Sequence, residues 1–118
     1  MPHQNEKWVP LADAAQRMYD ELEGTDWRMT ADKEPTTEAR LNYMAMALAH
    51  HAPIEGRPPP SSSYKHIAPK EFDAGLIKGS GKYFQRHYES YLTFVDMRVR
   101  EEDLLDALER MKAGKHKT

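Results

Sequence analysis

Apolar residues recur along this chain at two spacings, and these divide it into elements. Leu11, Ala15, Met18 and Leu22 fall four, three and four residues apart, which stacks them on one face of a helix. The spacing predicts a helix over Pro10–Glu23, with Ala14 and Tyr19 widening its apolar face. Pro10 suits a first turn, where a missing N–H costs nothing, and Gly24 suits a stop. Trp8, just ahead, is expected to pack back onto this helix. Residues 24–36 read as a connection, with Trp27 and Met29 tucked into the core and Asp32, Lys33 and Glu34 in water. After Pro35 a second helix is expected. Thr36 serves as its N-cap, Glu38 faces the helix dipole from the first turn, and Leu41, Met44, Ala45 and Leu48 form its stripe, flanked by Tyr43 and Ala47. Pro53 ends it, because the residue before a proline avoids helical geometry.

The pattern then changes. Residues 53–63 carry three consecutive prolines and three consecutive serines, which neither a helix nor a central strand tolerates. A short strand or turn is expected at Ile54–Arg57, a solvated Pro/Ser loop over 57–63, and a second short strand at Tyr64–Ala68. Pro69 to Phe72 reads as a short helical turn burying Phe72, and Gly79–Lys82 as a turn. Tyr83, Phe84, Tyr88 and Tyr91 fit either a helix or a strand, so the local state of 64–91 stays open. Over Leu92–Val99 the period is two, with Thr93, Val95, Met97 and Val99 on one face and Phe94, Asp96 and Arg98 on the other. A last helix follows from Arg100. Glu101, Glu102 and Asp103 crowd its first turn, and Leu104, Leu105, Leu108 and Met111 make its stripe. The chain reads as one domain, 1–118, with loose ends near 1–7 and 114–118.

Composition qualifies this picture. Leu, Ile, Val and Phe make up only 18 of 118 residues, below the roughly 20% expected of a globular chain. The net charge of −2 is too small to force disorder, so the core is expected to be thin and filled by the 13 Ala, 7 Met and 6 Tyr. There is no cysteine, which excludes disulfides, thiolate metal sites and a Cys nucleophile. No apolar run reaches membrane-spanning length, and no signal-peptide pattern opens the sequence. A cytoplasmic location is the expectation. Charge is uneven. Residues 57–90 carry six basic against three acidic side chains inside an otherwise acidic protein.

No catalytic constellation emerges. His50-His51 are adjacent, so on a helix they point about 100° apart and chelate one metal poorly. Their position suits helix C-terminal histidines facing the dipole. Ser61, Ser62 and Ser63 have no nucleophile-elbow context, and Gly79-Ser-Gly-Lys82 lacks the full spacing of a phosphate loop. The chain is expected to be no enzyme and to use no cofactor or metal. The better candidate is the basic, aromatic stretch. Arg57, Lys65, Lys78, Lys82 and Arg86 would neutralise phosphates, and the seven aromatics within 64–94 would either stack on bases or supply missing core bulk. Arg40 and Asn42, on the polar side of the second helix, are base-reading candidates if that helix enters a major groove.

Two terminal motifs carry a family resemblance. Trp8-Val-Pro-Leu-Ala-Asp-Ala-Ala15 resembles the opening of excisionase-like and MerR-like winged helix-turn-helix domains. Met97-Arg-Val-Arg-Glu-Glu-Asp-Leu104, followed by Leu108, resembles a last wing strand running into a helix. Two features depart from that family: the long connection Gly24–Pro35, and the length of 58–91 relative to a wing. The resemblance implies an α+β, winged-helix-like fold, with three main helices and a small β-sheet or wing. It also implies a DNA-binding or regulatory protein acting on double-stranded DNA. The alternative is a non-enzymatic protein-interaction module on a degenerate winged-helix core, and a homodimer fits either.

Overall fold

The computed structural model describes residues 7–58, 62–69, 75–78, 83–86 and 92–114. The chain runs β1 (Trp8–Pro10), α1 (Leu11–Glu21), α2 (Asp26–Asp32), α3 (Thr37–Ala49), β2 (Ile54–Arg57), β3 (Lys65–Ile67), β4 (Gly75–Lys78), β5 (Tyr83–Arg86), β6 (Leu92–Arg100) and α4 (Glu101–Gly114). The fold is α+β, as expected, with helices against one antiparallel sheet. The readings placed on Phe72, the Gly79–Lys82 turn, Lys82, Tyr88 and Tyr91 lie outside the described residues.

Residues 24–36 are not a plain connection, because they contain α2. Thr25 caps it, its hydroxyl accepting from the Arg28 amide and donating to the Leu22 carbonyl. Seven residues span two turns, too few for a stripe to show, and only Ala31 is buried. The turn 33–36 then leads into α3, whose N-cap is Thr36, accepting from the Ala39 amide at 3.0 Å. The order α1, α2, turn, α3, hairpin is thus winged-helix-like, with a seven-residue helix inside the long connection Gly24–Pro35. Met29 is 60% exposed rather than in the core, while Trp27 is partly buried.

The sheet order is β3-β2-β6-β5-β4, with β1 also paired to β6. The sheet is therefore larger than a wing, and β6 is its organising strand. One edge of β6 takes β2. The other takes β5 along Leu92–Val95 and β1 along Arg98–Arg100. Trp8 consequently sits in a strand instead of folding back on α1. Register sorts the faces. Val9, Val99, Ile54 and Ile67 lie in one row, with Val99, Ile54 and Ile67 buried and Val9 packed against the core. Adjacent residues point the other way, so Pro10, Arg98, Glu55 and His66 form the neighbouring row on the outer face.

The strict alternation expected over Leu92–Val99 fails at one residue. Glu55 pairs with Arg98 and Arg57 with Val95, so Gly56 alone faces both Asp96 and Met97. This is a β-bulge, and Asp96 takes it at φ +52°, a conformation Asp tolerates better than most residues. The extra residue restores the face, so Phe94 and Met97 are both buried although the period of two sets them apart.

The core follows composition. Of the 21 core residues among those described, eight are Ala and four are Met. Leu11, Leu22, Leu48, Leu104 and Leu108 supply the bulk. Tyr19 and Tyr43 only flank it, and Phe94 is the aromatic residue it buries among the described side chains.

Candidate interaction face

The outer face of the sheet gathers residues from three distant parts of the sequence. Arg98, from β6, projects between two rings. Its guanidinium carbon stands 3.8 Å from the centroid of Trp8 and 3.5 Å from that of Tyr64. Arg98 Nη2 donates to Glu55 Oε1 at 3.1 Å, across the β2–β6 pair that register had already set opposite. Such a planar cation stacks on rings more readily than an ammonium does, and each contact is worth about 0.5–1 kcal/mol at an exposed site. The price of the sandwich is Arg98 Nε, which is buried without a hydrogen-bond partner.

Beside this stack lies an open cleft of about 300 Å³ lined by Trp8, Pro10, Tyr64, Asp96, Met97 and Arg98. Its two charges are compensated from within. Glu55 holds Arg98, and Asp96 holds Arg57, whose Nε reaches Asp96 Oδ2 at 2.8 Å. The bulge therefore has a second consequence: it brings the Asp96 carboxylate to the tip of β2. Further along, Arg100 Nε reaches Asp103 at 3.2 Å.

The residues singled out from sequence are scattered. Arg40 Nε donates to the Glu34 carbonyl at 3.4 Å, and Asn42 Nδ2 to the Glu38 carbonyl at 2.8 Å, so both are tied to backbone and half-buried. Arg57 belongs to the ion pair above. Lys65 is exposed on β3. Lys78 lies opposite Tyr83 on β4 and Arg86 opposite Leu92 on β5, while Lys82 is outside the described residues. Strands β3 and β4 are the two ends of the sheet order. With four inter-strand steps of about 4.8 Å between them, Lys65 and Lys78 stand roughly 19 Å apart. Sequence reasoning missed Arg98, Trp8, Tyr64 and Glu55 as a group. Arg98 carried an outward signal in the strand alternation, but nothing local pairs it with residues 34 and 90 positions away.

A second cluster joins three helices behind the core. The Trp27 ring meets His51 edge-on at 6.0 Å and Tyr43 at 6.5 Å, and Arg110 of α4 donates to the His51 carbonyl. Burial, with Arg110 and His50 adding like charge, holds the His51 imidazole below its ordinary value of 6.5. The unfolded chain then binds this proton first as pH falls. Stability from this residue is complete above pH 6.5. It drains as pH drops from there to the lowered folded pKa, with a slope of at most one proton. We expect His51→Phe to flatten that decline in urea denaturation midpoints measured between pH 7.5 and 5. An imidazole titration of the folded protein centred at or above 6.5 would contradict the assignment.

Among the described residues no group of three His, Asp or Glu is placed to hold a metal, and no helix is long and apolar enough to cross a membrane. Comparison with protein-family models, with curated proteins and with solved structures finds no match to this chain.

Proposed function

We propose that this chain is a protein-interaction module on a winged-helix-like core, and that it binds through the outer face of its sheet. The observation that carries the reading is the Trp8–Arg98–Tyr64 stack beside its cleft. Trp, Tyr and Arg are the side chains that dominate binding energy at protein interfaces, and here they are held in place before any partner arrives. Preorganisation lowers the ordering cost of association.

Duplex DNA is the competing partner, and the order α2, turn, α3, hairpin favours it. The charges around that helix pair do not. Residues 26–42 carry four acidic against three basic side chains, whereas phosphate contact is driven by accumulated positive charge. Arg28 there is engaged by Asp32 at 3.2 Å and by the Tyr19 ring at 3.7 Å, and Arg40 by backbone.

The test is site-directed photocrosslinking in cells from two exposed positions, His66 on the outer face and Thr37 at the start of α3. Protein adducts from His66 and none from Thr37 are expected. DNA adducts from Thr37, together with duplex binding that falls steeply with salt, would replace this reading with the DNA one.

A further inference from the structure

We infer that the cleft beside Arg98 recognises an extended proline-rich segment of a partner protein. This rests on the outer face being the binding surface, and names the ligand chemistry that face selects. Three features of the cleft converge on it. Its walls are ring surfaces, from Trp8, Tyr64 and Pro10, with Met97 beneath. Its charges are already matched, Arg98 by Glu55 and Asp96 by Arg57, so a phosphate or a free carboxylate meets no uncompensated cation there. And its two aromatic side chains each end in a donor. Among the described residues neither the Trp8 indole N–H nor the Tyr64 hydroxyl has a hydrogen-bond partner, their contacts being those with Arg98.

An apolar, charge-matched cleft whose two aromatic donors are engaged by none of the described residues asks for a ligand that presents apolar rings and carbonyl acceptors. Proline-rich chain meets that description. It lacks the N–H at each proline, and in the polyproline II conformation no carbonyl is used internally. It is also already extended, so it loses little entropy on docking into an aromatic-lined groove.

The experiment is a titration of the full-length ¹⁵N-labelled chain with an oligoproline peptide, followed at the two indole N–H resonances, which report Trp8 and Trp27 separately. Saturable movement of the Trp8 signal with Trp27 unmoved is expected. Tyr64→Phe, which keeps the ring stack and deletes the donor, is expected to weaken binding about two- to tenfold, the worth of one hydrogen bond. Trp8→Phe, which keeps a ring against Arg98 and removes the other donor, should weaken it by a similar factor, read in that variant from the backbone amide resonances of β1 and β6. No movement at millimolar peptide, equal movement with a Gly/Ser peptide of the same length, or unchanged affinity in both variants would overturn the inference. So would an oligonucleotide that shifts the Trp8 signal while oligoproline does not. If oligoproline fails while His66 still crosslinks to protein, the ligand class is wrong and the binding face stands. If the His66 crosslink is also absent, the face itself falls.

Discussion

Replacing Leu48 by alanine is expected to remove about 2–5 kcal/mol of stability, a large share of the roughly 5–15 kcal/mol a domain possesses. Leu48 is completely buried in the last turn of α3. The usual cost of such a truncation is the lost transfer free energy plus a cavity, and the cavity shrinks only if neighbours move in. On the same face of α3 the neighbours are Ala45, which has no side-chain length to move, and Met44, whose flexible side chain can fill part of the space. The loss is therefore placed in the middle of that range. Met44→Ala, at an equally buried position, provides the comparison. Met→Leu at the same site should be nearly neutral, because volume is kept. Urea denaturation with a fixed m-value measures all three. A loss near 1 kcal/mol for Leu48→Ala would mean that α3 does not seat on this core.

That alanine-rich core also explains what sequence could and could not reveal. The limits of α3 were legible because Pro35, Thr36 and Pro53 act locally through caps and forbidden backbone angles. The last helix was legible for the same reason, since it has a boundary signal and a stripe, whereas four residues at Ile54–Arg57 left strand and turn both open. Helix α2 was not, because two turns bury a single alanine and its capping Thr25 sits in what reads as a polar connection. The bulge at Asp96 was invisible because an extra residue leaves no compositional mark, yet it decides which face Phe94 takes. The candidate face shows the limit most clearly. Trp8, Tyr64 and Arg98 meet only because β1 and β2 flank β6 at a particular register, and register is a long-range outcome. The basic segment drew notice because its charge is local. Two of its described members, Arg57 and Lys65, flank Gly56 by sequence and by register, but Arg57 is engaged by Asp96, and Lys78 and Arg86 lie on other strands.

Gly56→Ala is expected to cost about 1–3 kcal/mol by overpacking, lowering Tm by roughly 5–15 °C in a domain of this size. A Cβ at this position would stand 2.9 Å from Ile67 Cδ1, 3.0 Å from Met97 Cγ and 3.1 Å from Phe94 Cβ. The first two are side-chain carbons able to yield; the third is fixed to the β6 backbone, so the strands must part at the bulge. Gly24→Ala provides the contrast, because a Cβ there meets nothing within 4 Å and the penalty comes from φ +87° alone. The two mechanisms separate in a double-mutant cycle. Ile67→Val deletes the Cδ1 atom that the new methyl meets. Alone it should destabilise by about 0.5–1.5 kcal/mol. In the Gly56→Ala background it should cost less than that, or restore stability, while in the Gly24→Ala background its cost should be unchanged, as for distant sites. Additive behaviour at Gly56 and Ile67 would mean that β3 does not lie over the bulge. The outer face would be affected in turn. Parting β2 from β6 there separates Arg57 from Asp96 and Glu55 from Arg98, so Gly56→Ala should also loosen the Arg98 stack. The Trp8 indole signal reports this, and it should move in Gly56→Ala but not in Gly24→Ala.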